Sequence, residues 1–207
     1  MKFEDLLTPK PYRWPKKGDL PFRKAMTVEA AGNLAADGPS RTVFIMEGFM
    51  QAGKAIADLI LDKRASRFEM VYPMLFCYRH AVETGLKWLI IQYGPHVGVT
   101  PPDLNDTHNL LELWRHFAKI NKACGAEMHD EELLAVGKII KQFHDWDRHG
   151  VAFRYATNKR GTVISLLHSD VDIENLKDVM NGVSNFLNGS DGWLASVVNA
   201  QRSVARS

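Results

Sequence analysis

Cysteine, charge imbalance and long apolar runs are all scarce in this sequence, and each scarcity removes a class of function. Only two cysteines occur among 207 residues, Cys77 within an apolar stretch and Cys124 beside Gly125. Neither belongs to a CxxC pair, so thiolate metal ligation and dithiol redox chemistry lack a basis, and a reducing, cytoplasmic compartment is expected. Lys and Arg number 26 against 24 Asp and Glu, a net charge of +2. That excess is too small to imply a nucleic-acid partner, so any basic footprint has to be local. No stretch reaches the roughly 20 apolar residues that span a bilayer. The opening MKFEDLLTPKPYRWPKK has neither the apolar run nor the cleavage site of a signal peptide, so no membrane association is expected. GxSxG, P-loop, GxGxxG, HExxH and EF-hand signatures are also missing, which removes the usual warrants for serine hydrolases, NTPases, dinucleotide enzymes, zinc proteases and calcium sensors.

What is there suits a core. With 45% hydrophobic and 24% charged residues, the chain can bury one sizeable apolar interior. Residues 1–40 hold five of the nine prolines and read as an irregular arm. In it Lys10, Arg13, Lys16 and Lys17 interleave with Tyr12 and Trp14, a composition that suits either a nucleic-acid backbone or simple solvation. Ser40 can cap a helix over about 41–64, with Val43, Phe44, Ile56, Leu59 and Ile60 at helical spacing. A second helix runs from after Ser66 to about Tyr93, where Gly94 and Pro95 stop it. Its apolar stripe (Tyr72, Leu75, Phe76, Val82, Leu86, Leu89, Ile90) is too broad for a surface helix and places it centrally.

A third helix is expected over about 107–122, capped by Asp106, with Leu110, Leu111, Trp114 and Phe117 inward. A fourth spans about 130–147 and carries the series Leu133, Val136, Ile139, Ile140, Phe143 and Trp146. FRYAT and TVISL flank Asn158-Lys159-Arg160-Gly161 and predict a small β-hairpin near 152–166. Asp170 or Asp172 caps a last helix, with Gly189 as a break before the tail. The expected fold is all-α, a bundle of four to five helices over 41–200 with that hairpin inserted.

Four groups of polar residues attract chemistry. On the second helix Arg79, His80, Glu83 and Lys87 lie three and four apart, beside apolar neighbours, and either pair there or face a cleft. His108 stands at the start of the third helix, where a neutral imidazole hydrogen-bonded within the bundle is expected. His144, Asp145, Asp147, Arg148 and His149 close the fourth helix; no second ligand pair accompanies them, so no metal and no other cofactor is expected. Arg148, Arg154, Lys159 and Arg160, accompanied by Phe153 and Tyr155, form either a phosphate-contacting patch or a solvated hairpin with Arg154 paired to a carboxylate such as Glu83.

The succession YPMLFCYRHAVETGLKWLI, HNLLELW and DRHGVAFRYATNKRG resembles bacterial proteins of the HEPN superfamily over about residues 70–190. The resemblance implies a compact helical bundle that commonly dimerises with a cleft between partners, with links to RNA cleavage, toxin–antitoxin systems and phage defence. Active members carry an Arg followed after four to six residues by His. Here the eligible positions after Arg148 are Phe153, Arg154 and Tyr155, and after Arg79 they are Thr84, Gly85 and Leu86, so the catalytic pair is absent. A non-catalytic or weakly active HEPN-like module is therefore expected, forming a homodimer and binding RNA, a nucleotide or a protein partner near Arg79, Glu83, Lys87, His108, Arg154, Tyr155, Lys159 and Arg160. The alternatives are a metal-independent endoribonuclease, with His80 or His149 as general base and Arg148 or Arg79 stabilising phosphorane charge, and a structural interaction scaffold.

Overall fold

The computed structural model describes residues 14–104, 107–127 and 129–204. The chain divides into two units, Met1–Leu34 and Ala35–Ser207. The described part of the first is irregular, with a turn in which the Asp19 N–H bonds the Lys16 carbonyl and the Lys16 N–H bonds the Asp19 carboxylate. Lys10, Tyr12 and Arg13 of the basic arm lie outside the described residues.

The second unit is all-α. Its helices are α1 (Gly38–Leu61), α2 (Arg67–Tyr93), α3 (Leu110–Ala123), α4 (Glu131–Trp146) and α5 (Ile173–Val204), with a short 3-10 turn at Gly94–Val97. Side-chain caps fix most of the starts, because the first turn of a helix leaves N–H groups without backbone acceptors. Ser66, Asn109 and Asp130 accept from the N–H groups of Glu69, Glu112 and Leu133 respectively. Asp172 is the one of the two expected aspartates that caps α5, accepting from Asn175. Ser40 does not cap α1; Asp37 does, and Ser40 supplies the N–H it accepts. Pro39 at the first turn costs nothing there, since its missing N–H would have had no partner. Asn109 rather than Asp106 caps α3, and Asp106 lies outside the described residues.

Helix α2 is central, as its broad stripe requires. Met74, Leu75, Tyr78, Ala81, Val82, Leu86, Leu89 and Ile90 are all buried, and α1, α3 and α5 pack around it. α1 runs antiparallel against it, with Met46 at Gly85 and Gly53 at Tyr78. A Cβ at Gly53 would stand 2.8 Å from the Tyr78 ring, so glycine is what lets the two helices approach. The buried line of α1 is Met46, Met50, Gly53, Ala57 and Ile60; Phe44, expected to face inward, is 63% exposed.

Two expectations fail for physical reasons. Gly189 does not break the last helix, which continues unbroken to Val204, because Leu187, Ser190, Leu194 and Val198 prolong its buried line. That burial outweighs the roughly 1 kcal/mol a helical glycine costs. The hairpin near 152–166 does not form: among the described residues there is no strand, only an isolated antiparallel bridge between Thr157 and Val163. FRYAT instead opens with a turn in which the Arg154 and Tyr155 N–H groups bond the Val151 carbonyl, and Phe153 enters the core. An isolated pair of strands has no face to bury and is marginal at best. The turn chemistry of Asn158 survives, its side chain accepting from the Arg160 and Thr162 N–H groups.

Candidate functional site

Helix α2 carries a guanidinium into the interior. Arg79 continues the buried line of Leu75, Val82 and Leu86 and is only 2% exposed, so each of its donors needs an acceptor. Nη1 donates to Glu83 Oε2 at 2.7 Å, one turn along the helix. Nη2 donates to the His108 carbonyl at 2.7 Å, and Nε to the Asp147 carbonyl at 3.1 Å. The Asp147 Oδ2 lies 3.3 Å from Nε as a second anionic neighbour, while Oδ1 accepts from the Val151 and Ala152 N–H groups. One side chain thus ties α2 to the segment before α3 and to the end of α4.

Glu83 balances it. Besides Arg79, its carboxylate takes Lys87 Nζ at 2.9 Å and His108 Nδ1 at 2.8 Å, both on Oε1. Burial pushes the Glu83 carboxyl up, but the hydrogen bonds from Lys87, Arg79 and His108 outweigh it and hold the group at about 2. A carboxyl whose folded value is depressed below the ordinary 4.5 stabilises the fold above that pH and loses the contribution as pH falls toward 2. The difference corresponds to about 3 kcal/mol. Urea midpoints of the wild type should therefore fall more steeply between pH 4.5 and 2 than those of Glu83→Gln, and parallel curves would show that the carboxylate is not held this way.

His108 stands before the Asn109 cap rather than inside α3, so contact with Glu83, not the helix dipole, fixes its ring. Its side chain is 48% exposed, the point at which the buried network meets solvent. Gly150 seals the other side with φ +71°, where an added Cβ would stand 3.1 Å from Arg79 Nη1.

The Gly150 carbonyl accepts from Arg154 Nε at 2.8 Å, so the network passes into a second, outer cluster. Arg154 does not pair with Glu83. Its guanidinium lies 5.5 Å from the Phe76 ring centre and 5.4 Å from that of Tyr155. Phe76 stacks on His80 at 5.5 Å, and Phe49 of α1 meets both rings edge-on, at 5.8 and 4.5 Å. Burial, more than its charged neighbours, pushes the His80 imidazole below its ordinary range. Arg154 and Tyr155 are exposed.

The expected groups therefore fall into three sets. Arg79, Glu83, Lys87 and His108 form one network; His80, Arg154 and Tyr155 form an aromatic and cationic ledge beside it. Arg148, His149, Lys159 and Arg160 are exposed on the two turns that follow. His144 is buried and pushed below its ordinary range by burial and then by Arg148, while Asp145 bonds Lys141 on the surface. Among the described residues no group of three or more His, Cys, Asp and Glu could hold a metal ion. Gly150, Phe49 and Phe76 take part in the site although the residue pattern did not single them out for it, and Asp147, expected only in the cluster that closes α4, is a partner of Arg79. No family model matches the chain, and no curated protein and no solved structure matches it either. No helix among the described residues is long and apolar enough to cross a membrane.

Proposed function

We propose that this chain is a HEPN-like helical module that homodimerises and binds single-stranded RNA without cleaving it. The observation that carries the reading is the ledge of Arg154, Tyr155, Phe76 and His80, an exposed guanidinium held over two aromatic rings. Unpaired bases stack on aromatic and guanidinium planes, and phosphates take the cation, so this surface chemistry fits a single strand better than a duplex. Lys159 and Arg160, exposed four and five residues beyond Tyr155, extend the cationic path.

The engagement of Arg79 and His80 supports the non-cleaving reading. The Arg79 guanidinium is bonded to Glu83, His108 and Asp147 and is only 2% exposed. His80 is lodged against Phe49 and Phe76, where a general base would have to reach a 2′-hydroxyl within hydrogen-bond distance. The homodimer reading draws on Phe68 at 82% and Tyr72 at 45% exposed, one turn apart at the start of α2. Light scattering should give twice the 23.4 kDa chain mass.

The test is a fluorescently labelled, mixed-sequence RNA followed by anisotropy across a salt series and by gel, with and without chelator. Salt-sensitive binding with intact RNA is expected. Cleavage that is lost in His149→Ala would contradict the reading and assign the exposed Arg148 and His149 to an endoribonuclease site; no binding at low salt would leave a protein-interaction scaffold.

A further inference from the structure

A second feature, unconnected with the ledge, lies between the α3–α4 loop and α5. There the bundle carries an open pocket of about 460 Å³, within the range of roughly 300–1,000 Å³ usual for small-molecule sites. Its floor is made by buried Asn121, Leu133 and Ser190, its wall by Phe186 and Trp193, and its rim by Glu127, Asp130 and Glu132, all three exposed. No Lys, Arg or His is among the lining residues, so three carboxylates surround the mouth with no cation of the chain's own between them.

The floor is polar and incompletely bonded. Asn121 is 4% exposed; its Nδ2 donates to the Phe117 carbonyl, and its Oδ1 has no donor among the described residues. Ser190 is 8% exposed, and its hydroxyl has no hydrogen-bond partner among the described residues. Neither atom is among the fully buried side-chain atoms left without a partner, so both stay open to water or to a ligand entering from the pocket. Asp130 is already engaged at the mouth, capping α4 through the Leu133 N–H, whereas Glu127 and Glu132 form no ion pair among the described residues. Gly189 lines the pocket on the α5 side, and a Cβ built there meets open space.

We infer that this pocket binds a small organic cation, an ammonium or guanidinium on an apolar body. The apolar part lies against Phe186, Leu133 and the Trp193 indole, whose face also attracts the charge. The N–H donors reach Asn121 Oδ1 and the Ser190 hydroxyl, and the carboxylates neutralise the cation at the mouth. A neutral molecule of the same shape would gain only the apolar contacts, and an anion would be repelled.

Phenethylammonium serves as the probe, with 2-phenylethanol as its neutral isostere, each titrated into the whole chain and followed by amide shifts in ¹H–¹⁵N spectra. Phenethylammonium should shift Asn121 and Ser190 saturably, and 2-phenylethanol should bind at least about tenfold more weakly. Gly189→Leu should fill the pocket without weakening α5, because leucine is the better helix former. Both it and Glu127→Gln/Glu132→Gln should raise the Kd at least about tenfold. Asp130 is left intact because it caps α4. Equal affinity for the alcohol, undiminished binding in both variants, or no saturable shift at Asn121 and Ser190 in the millimolar range would each overturn the assignment.

Discussion

Arg79→Met should lower the unfolding free energy by about 3–5 kcal/mol, the cost of breaking a buried charge pair from one side. The arithmetic of the site explains the size. Arg79 faces two carboxylates that are each less than 5% exposed, Glu83 and Asp147, and it also satisfies two carbonyls. Methionine matches the apolar stem but leaves Glu83 to Lys87 and His108 alone, and Asp147 Oδ2 without a cation. Urea denaturation measures the loss. Adding Glu83→Gln to Arg79→Met should recover part of it, because the uncompensated charge is what costs most. A loss below about 1 kcal/mol, or a double variant less stable than the single one, would mean that the network does not hold the three segments together.

Arg154→Ala/Tyr155→Ala should act in the opposite way, with a large effect on binding and a small one on stability. Both side chains are exposed, so their removal should change unfolding by no more than about 0.5 kcal/mol. Stacking of a base on an aromatic side chain contributes about 1–3 kcal/mol. Removing the ring and the guanidinium together should therefore weaken binding of a short single-stranded RNA at least about tenfold. The salt slope should also flatten as one phosphate contact is lost. Affinity unchanged in this variant would place any RNA contact elsewhere.

The helices were legible because burial and periodicity agree in them. α4 reads off as Leu133, Val136, Ile140 and Phe143, and all four are buried. The same line also held a pairing that the residue pattern did not draw. Asp147 sits four residues beyond Phe143 and is buried like it, so a carboxylate continues the apolar stripe of α4 just as Arg79 continues that of α2. Opposite charges on two buried stripes have to meet, and that pairing was open to inference. What was not legible is the partner geometry that depends on tertiary approach: Phe49 on α1 against His80, Arg154 over Phe76 rather than on Glu83, and the place of Gly150 against the Arg79 guanidinium.

Misreadings arose where local propensity stood without tertiary support, or against it. TVISL has the β-branched content of a strand, but residues 156–163 are exposed and meet no sheet, so a single bridge is all that forms. Gly189 has the composition of a stop, yet the buried residues on either side of it carry α5 through. Phe44 matched the helical period of α1, but Met46 and Met50 set the inward face.

Arg154 and Arg79 divide the work proposed here: an exposed ledge that meets RNA and a buried guanidinium that holds the fold. Arginine Nε–H signals in ¹H–¹⁵N spectra report on both sites in one titration. Addition of a short single-stranded RNA should shift the Arg154 Nε–H and the Tyr155 amide while the Arg79 Nε–H, bonded to Asp147, stays in place. An Arg79 signal that moves with RNA while Arg154 stays silent would rule out the ledge as the RNA contact and return the buried network to the role of a ligand site.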